Sequence, residues 1–400
     1  MKIIKQFPTS INAILLGALS IRTIYYMLWP FFAVVFDRDF GLSIITTGAL
    51  IASGVLVSII CSIYAGIISD RVGRKLILIT TLSILLTSTF FLIFIQNFLF
   101  YLILLYSVAL GKGVIDTIFK AIISDAIQDV EVRKHAFYFL YYAINIGGAI
   151  GPFLGVSFAL VYPSSTFIAI SLTLLVLLIS FVFVFENKLS SISEKKYSFF
   201  ESLYIVRKDK PFILLIISFL LIMLVFDQFD STLVQFFSRQ NSSELISLVG
   251  ALMVINCVTV LIFQFPLLKL ISSFSDKVKV YLGISLFAIA QIIFASTPVF
   301  LFLGWILATI ILTLGEIILF SIINLQIDKM APNNLKGAYF GAANLYSLGL
   351  FLAPLTGGIL LEIFGRTSLF LIMGGICLII FITYKKALIA TSKDLNCYKK

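Results

Sequence analysis

Long apolar segments alternate with short polar ones along the whole chain. Twelve segments stay apolar for about 20 residues, the length that a helix needs to cross the hydrocarbon core of a bilayer. They are residues 11–35, 45–68, 76–95, 99–122, 136–161, 164–186, 212–237, 243–268, 278–296, 299–327, 337–361 and 367–385. Backbone polar groups must be hydrogen-bonded within each segment, which favours helices. The pattern predicts an all-α integral membrane protein with twelve spans.

Composition supports this class. Hydrophobic residues make up 60% of the 400-residue chain and charged residues only 12%, whereas soluble proteins are about 45–50% apolar. The four cysteines, Cys61, Cys257, Cys377 and Cys397, have neither disulfide nor metal-ligand spacing. Lys2 and Lys5 before an apolar run resemble a signal peptide, but the run continues to about Val35 without a cleavage site. We therefore expect an uncleaved first span.

The distribution of positive charge predicts the orientation. With twelve spans, the two termini and the loops after spans 2, 4, 6, 8 and 10 lie on one side of the membrane. These segments hold 23 of the 29 lysines and arginines, and the loops on the opposite side hold three. Cytoplasmic segments of membrane proteins carry this excess. We expect both termini in the cytoplasm of a bacterial cell (inner) membrane. The net charge of +10 is thus a topology signal, so no nucleic-acid partner is predicted.

The chain divides in the middle. Residues 188–211 form the longest polar interval and are interpreted as a solvated cytoplasmic linker between two six-helix bundles, residues 1–187 and 212–400. The bundles repeat each other weakly, since a Gly-x-x-x-Gly-Pro string that begins at Gly147 recurs as Gly349-x-x-x-Ala-Pro. We therefore predict two bundles related by pseudo-two-fold symmetry. Such halves, rocking about a shared site, are how alternating-access transporters are built.

The turn between spans 2 and 3 carries the most specific motif, Gly66-x-x-x-Asp70-Arg71-x-Gly73-Arg74-Lys75. Gly73 permits the positive φ of a tight turn, and the three cations place this loop in the cytoplasm. The pattern resembles the loop 2–3 signature of the major facilitator superfamily. That resemblance implies the twelve-helix fold of the superfamily.

Span 5 contains a face without side chains. Gly147, Gly151 and Gly155 allow a neighbouring helix to approach closely, and Pro152 bends the span. Helix packing alone would explain the glycines. The string also resembles the span 5 signature of the drug:proton antiporter branch of the superfamily, which implies export.

Seven ionisable residues lie inside predicted spans, where each one is costly and therefore a functional candidate. They are Arg22, Lys112, Asp116, Lys120, Asp227, Asp230 and Glu316. The i, i+4, i+8 spacing of Lys112, Asp116 and Lys120 puts them on one helix face. We expect the two lysines to neutralise Asp116, in a ladder that either lines a cavity or is buried in packing. Glu316 lies about 18 Å from Asp328 along span 10, with no cation nearby in sequence. A carboxyl removed from water there suits proton exchange.

Further motifs resemble the proton-driven multidrug exporters related to the lactococcal multidrug antiporter. They are Gln228-Phe-Asp230, Gly315-Glu316, Lys336-Gly-x-Tyr-x-Gly341 and Asp125…Arg133-Lys134. The resemblance implies that Asp70 meets the N-terminus of span 11 and locks an outward-open state. It also implies that Asp230 and Glu316 take substrate and protons. Tyr141 and Ser107 replace a carboxylate and an arginine that are frequent in those exporters, whereas Lys112, Asp116 and Lys120 are additions.

Three groups of site residues follow. Proton coupling is assigned to Glu316, Asp230 and Asp227. The substrate cavity is assigned to Arg22, Lys112, Asp116, Lys120, Tyr25 and Asn145. The conformational gate is assigned to Gly66, Asp70, Arg71, Gly73, Arg74, Lys75, Gly147, Gly151, Pro152 and Gly155. No catalytic residue, cofactor or metal site is expected.

The sequence thus predicts a monomeric, proton-coupled exporter of small amphiphilic molecules, with the lipid bilayer, protons and a small-molecule substrate as partners. The alternative is a proton symporter that imports a peptide, metabolite or anionic chelate, because three cations suit an anionic solute. A receptor or ATP-driven enzyme is a third hypothesis. It is disfavoured because the sequence contains no G-x-x-x-x-G-K-[ST] loop and no catalytic Ser/His/Asp set.

Overall fold

A computed structural model describes residues 7–42, 44–155, 158, 161–185, 197–238 and 242–397. These residues are almost all helical, and none of them belongs to a strand. The helices are α1 (Thr9–Arg38), α2 (Ile44–Val72), α3 (Arg74–Phe91), α4 (Phe98–Ala126), α5 (Val130–Leu154), α6 (Pro163–Val184), α7 (Phe199–Lys208), α8 (Lys210–Asp227), α9 (Leu233–Ser238), α10 (Ser243–Leu270), α11 (Asp276–Ser296), α12 (Phe302–Met330), α13 (Lys336–Ala343) and α14 (Leu348–Cys397).

Short tighter or wider turns complete the helices. A π-helical segment, Gln228–Thr232, joins α8 to α9, and 3₁₀ turns lie at Asn333–Leu335 and Asn344–Ser347. Within the described residues, eleven helical segments are long and apolar enough to cross a membrane. The last of these, Asn333–Ile389, has 57 residues and contains Gly365 at φ 75° and ψ 173°, which is not helical. Dividing it at Gly365 gives two spans, so the predicted all-α fold with twelve spans is confirmed.

Local chemistry sets the helix ends, and it explains one boundary that the sequence analysis misplaced. Span 5 begins at Val130 and not at 136, because the Asp129 carboxylate accepts hydrogen bonds from the N–H groups of Glu131 and Val132 at 2.8 and 3.0 Å. Asn97 caps α4 in the same way, since its side chain accepts from the Phe100 N–H at 3.1 Å. Polar residues that looked like loop therefore belong to the first turn of α5.

The helices form two compact units. Unit 1 comprises Met1–Val206 and Ile327–Asn344, and unit 2 comprises Arg207–Gln326 and Leu345–Lys400. In unit 1, α1 packs on α5, α2 on α4, and α3 on α6, while α13 packs on α2 and α4. In unit 2, α14 packs on α8 and α11. The division of the chain into bundles 1–187 and 212–400 stays a prediction.

One helix differs from expectation. The interval 188–211 was interpreted as a solvated linker, but residues 199–208 form α7. Its first turn is closed by reciprocal hydrogen bonds: the Glu201 N–H donates to Ser198 Oγ at 3.2 Å, and the Ser198 N–H donates to Glu201 Oε2 at 2.6 Å. This capping box fixes where the helix starts.

Candidate functional site

The loop 2–3 motif is built around a buried arginine. Gly73 has φ 98°, so it makes the predicted left-handed turn between α2 and α3. Arg74 follows it and is only 1% exposed. Its guanidinium pairs with Asp70 at 2.5 Å and Asp125 at 3.1 Å, and it donates to Ser69 Oγ at 2.5 Å. Arg74 is predicted to be a gate residue and one of the cations that keep this loop in the cytoplasm; the structure adds that two carboxylates hold its guanidinium between α2, α3 and α4.

The remaining cations of the motif behave as expected for a loop, since Arg71 is exposed and Lys75 is half-buried. Asp70 has a second set of partners. Its carboxylate accepts hydrogen bonds from the N–H groups of Gly337 and Ala338 at 2.9 and 2.7 Å. These N–H groups belong to the first turn of α13, where the helix dipole favours an anion. The structure therefore brings Asp70 to the start of span 11.

Two glycines make this contact close. A Cβ on Gly66 would lie 2.9 Å from the carbonyl carbon of Gly337, and a Cβ on Gly337 would lie 2.7 Å from Ser69 Oγ. No side chain fits at either position. The first glycine of the motif thus lets α2 approach α13, and Asp70, one turn later, binds the end of that helix.

A second ion cluster in unit 1 was not assigned a role from the sequence. Asp328, at the end of α12, pairs with Arg133 at 2.9 Å and with Lys336 at 3.0 Å, and it accepts a hydrogen bond from Ser124. Each pair Asp125…Arg133 and Asp328…Lys336 has a spacing of eight residues. That repeat was the available signal, but it did not show that Arg133 pairs with the second aspartate of the repeat.

The charges of spans 1 and 4 lie together in unit 1. Arg22 forms an ion pair with Asp116, and Lys112 Nζ lies 4.8 Å from the centre of the Tyr25 ring. Asp116 is expected to be neutralised by Lys112 and Lys120 of its own helix, and the structure adds Arg22, 94 residues away, as an ion-pair partner. Lys120 is half-buried on the same helix. Asn145 donates to the Tyr141 carbonyl at 2.9 Å, within its own helix.

The glycine string of span 5 positions Arg22. A Cβ on Gly147 would lie 2.7 Å from Arg22 Cβ, and a Cβ on Gly151 would lie 2.7 Å from Tyr26 Cβ. A Cβ on Gly155 would lie 2.5 Å from the Met27 carbonyl oxygen. Pro152 lies inside α5, between Gly151 and Gly155. The partner of this face is α1. Residues assigned to the gate therefore hold the helix that carries a residue assigned to the cavity.

In unit 2, Glu316 lies on α12 and is 4% exposed. The Asn256 side chain donates to Glu316 Oε2 at 2.8 Å and to Thr313 Oγ1 at 2.9 Å. Asn256 of α10 thus holds one of the three carboxyl groups assigned to proton coupling. Asn256 and Thr313 were not found from the sequence.

Asp227 and Asp230 lie where span 7 changes from an α-helix to a π-helix. Gln228 is fully buried, and its amide donates to the carbonyls of Leu224 at 3.1 Å and Ala353 at 3.2 Å. Thr232 donates to Gln228 Oε1 at 2.7 Å. A Cβ on Gly357 would collide with both polar side chains. Asp230 is exposed and Asp227 is half-buried. π-helical turns of this kind are frequent at functional sites.

Comparisons with known proteins decide the family. The sequence profile of the Major Facilitator Superfamily matches residues 14–347. The chain belongs to the major facilitator superfamily. Its members are membrane transporters and not enzymes, so this chain is a multi-pass membrane transporter.

Two bacterial relatives cover most of this superfamily member. It is 28% identical to the uncharacterized MFS-type transporter YqjV of Bacillus subtilis, over 97% of this chain and 96% of the relative. It is 24% identical to a Na(+), Li(+), K(+)/H(+) antiporter of Planococcus maritimus, over 88% of this chain and 90% of the relative.

Solved structures share the fold of this transporter. The human organic anion transporter MFSD10 (TETRAN) aligns with a TM-score of 0.77 at 16% identity, covering 94% of this chain and 98% of the other. The major facilitator transporter FucP in the outward conformation aligns with a TM-score of 0.76 at 16% identity, covering 95% and 98%. These comparisons establish the superfamily and the fold, while the drug:proton antiporter branch stays a hypothesis.

Proposed function

We propose that the protein is a proton-coupled antiporter that exports small amphiphilic molecules by alternating access. The observation that carries the proposal is Glu316, a buried carboxyl inside a membrane span whose Oε2 accepts a hydrogen bond from the Asn256 amide. An ionisable residue at membrane depth is costly to keep, and it is usually part of an ion or substrate path.

The chemistry of coupling follows from charge. When Glu316 is protonated it is neutral, so the protein can adopt a closed conformation in which water is excluded from this carboxyl. An ionised Glu316 attracts a cationic group, and binding of that group displaces the proton. Proton release and cargo binding therefore exclude each other at one site, which is the requirement for exchange. Asp230, which is exposed, would meet the cargo first, with Asp227 one turn away.

The cluster of Arg22, Asp116, Lys112 and Tyr25 would line the substrate path of the other half, together with Lys120 and Asn145. Arg22 is paired with Asp116, and Lys112 and Lys120 add two further positive charges to this cluster. This arrangement suits amphiphilic cargo with an anionic or zwitterionic portion.

The test uses purified protein in liposomes with an imposed pH gradient. Ethidium efflux is measured for the wild type, Glu316→Gln and Glu362→Gln; Glu362 is an exposed glutamate of α14 and serves as the control. The proposal expects gradient-driven transport in the wild type and the control and none in Glu316→Gln. Unchanged transport by Glu316→Gln would contradict the coupling role, and accumulation with the proton gradient would support the import alternative.

Exchange of monovalent cations for protons is a second candidate function. A relative with 24% identity over most of both chains is a Na(+), Li(+), K(+)/H(+) antiporter. Glu316, Asp230 and Thr313 offer oxygen atoms, which are the ligands that hard cations prefer. Addition of NaCl or LiCl to acid-loaded liposomes would release protons through the wild type in this case. Proton flux that responds to ethidium but not to either salt would reject it.

We also propose that both termini face the cytoplasm of a bacterial cell membrane, as the charge distribution predicts, and that Asp70 with α13 acts as the cytoplasmic gate. The contact joins residues of spans 2 and 11 through two backbone N–H groups. Asp70→Asn weakens both bonds because it removes the anion. Hydrogen exchange at Gly337 and Ala338, followed by mass spectrometry, is expected to become faster. Unchanged exchange would contradict the gate.

A further inference from the structure

The short helix α7 presents three different faces. Phe199, Ser202 and Val206 face the protein, and Ser202 and Val206 are buried. Glu201 and Lys208 lie on an exposed polar face. The third face carries Phe200, Leu203 and Tyr204, which are 79%, 39% and 57% exposed. At 100° per residue these three side chains lie within about 100° of one another, so they form one contiguous apolar surface.

A contact with span 2 sets the depth of this helix. The Phe199 ring stacks on the Tyr64 ring, with centres 5.3 Å apart and planes 11° apart. Tyr64 lies on α2 six residues before Asp70, which is about 9 Å into the span from the loop. It is 52% exposed within a membrane span, so its outer side faces lipid. The start of α7 is therefore held at the boundary between headgroups and acyl chains.

The charge next to the apolar face is positive. Arg207 and Lys208 end α7, and Lys210 begins the next helix. Arg207 lies at the same angle around the helix as Phe200 and Leu203, one turn further on, and it is exposed. A helix with an apolar face and basic residues beside it binds in the plane of an anionic membrane surface. Each lysine or arginine near such a surface adds to the attraction.

We infer that α7 is an interfacial helix whose apolar face, Phe200, Leu203 and Tyr204, binds anionic phospholipid in the leaflet on the loop 2–3 side of the membrane. The lipid phosphate contacts Arg207 and Lys208, and the rings lie among the upper acyl carbons. Because Phe199 packs on α2, which ends in the Asp70 contact, lipid bound here contacts a helix that packs on the gate helix. This binding surface is independent of what the transporter carries.

The experiment places a nitroxide label on the full chain in nanodiscs. The four native cysteines are replaced by serine, and single cysteines are introduced as Leu203→Cys and, as the control, Glu131→Cys, at an exposed residue in the first turn of α5. Collisions with oxygen and with a water-soluble nickel chelate are compared in phosphatidylcholine alone and with added phosphatidylglycerol. We expect the label at 203 to collide mainly with oxygen and the label at 131 mainly with nickel. Phosphatidylglycerol is expected to move the label at 203 deeper, and Arg207→Gln with Lys208→Gln is expected to abolish that shift.

Three results would overturn the inference. Nickel access at both positions would mean that the face lies in water. Protection of the label at 203 from both reagents would mean that protein covers it, either residues 186–196 or a second copy of the chain. If the depth of the label at 203 does not change when phosphatidylglycerol is added, the helix does not prefer anionic lipid. The contrast can also be measured with all cysteines in place: brominated lipid should quench Leu203→Trp and not Glu131→Trp, after subtraction of the Trp29 and Trp305 signal.

Discussion

Two glycine-lined helix interfaces of this transporter, α1 with α5 and α8 with α14, use the same packing but position different polar groups. In unit 1, Gly147 and Gly151 of α5 press against α1. In unit 2, Gly349 of α14 presses against the backbone of α8 near Leu220 and Leu224. In both interfaces, the backbones of the two helices lie close together because none of these glycines has a side chain. The spacing of the Gly-Pro strings, repeated in the sequence, corresponds to this shared contact.

The helix that each string holds carries a different kind of polar group. In α1 it is Arg22, which forms an ion pair with Asp116 of α4. After α8 it is a π-helical turn in which buried Gln228 bonds to the Ala353 carbonyl and presents Asp230. One interface therefore positions a charge pair, and the other positions the π-helical turn that carries Asp230. The two interfaces share their packing and differ in the polar group that the packing positions.

The largest effect should come from removing the feature that only the first interface has. Arg22→Leu removes the ion-pair partner of the Asp116 carboxylate, and breaking a fully buried pair costs about 3–5 kcal/mol. Because this pair is only partly buried and Lys112 and Lys120 lie one turn away on the same helix, we expect a loss of about 3 kcal/mol. The free energy of unfolding in detergent measures it.

The double variant Arg22→Leu with Asp116→Leu should recover most of this stability, since no charge is left uncompensated. Arg38→Leu is the control, because Arg38 is exposed and pairs with its neighbour Asp39. If Arg22→Leu is no less stable than Arg38→Leu, the ion pair does not hold the first interface.

The shared feature is tested by adding a methyl group to each interface. Gly151→Ala and Gly349→Ala should each lower the free energy of unfolding, by about 1–3 kcal/mol, because the new Cβ meets backbone atoms that cannot move aside. Gly375→Ala is the control, since no atom lies within 4 Å of its Cβ position. That variant should gain slightly from the higher helix propensity of alanine. If only one interface is destabilised, the packing is not shared.

The smallest effect concerns the π-helical turn. Gln228→Leu removes the hydrogen bonds to the Leu224 and Ala353 carbonyls and leaves Thr232 without its acceptor. Both carbonyls belong to helices, so the loss should be about 1 kcal/mol of stability. Transport should fall by more than this loss of folded protein explains, because Asp230 is displaced. Gln96→Leu, at an exposed position, serves as the control. Equal transport by the two variants would separate Gln228 from function.

Most of the fold could be predicted from the pattern of apolar residues and from the residues at turns. The twelve spans and the left-handed Gly73 could be predicted because they depend on composition and on residues close in sequence. Span 5 showed that some helix would approach its glycines, but not that the helix would be α1. Helix α7 had a readable capping box in Ser198 and Glu201, which was missed because the interval looked merely polar.

The site was harder to predict, for a physical reason. Spacing on one helix suggests partners three or four residues away. It therefore predicts that Lys112 and Lys120 neutralise Asp116, and it does not reveal the ion pair with Arg22. The burial of Arg74 depends on Asp125, which lies near the end of the next helix, α4. Asn256 and Thr313 are ordinary polar residues until the fold brings them to Glu316. Pairings between distant segments were therefore the part that the sequence did not supply.

The central claim is that Glu316 carries a proton that cargo displaces. Its most direct test adds tetraphenylphosphonium, and separately sodium chloride, to the purified protein in weakly buffered detergent and follows released protons with a pH-sensitive dye. The account predicts that at least one probe releases protons from the wild type and from Glu362→Gln, and that neither releases them from Glu316→Gln. Equal release by Glu316→Gln would contradict it.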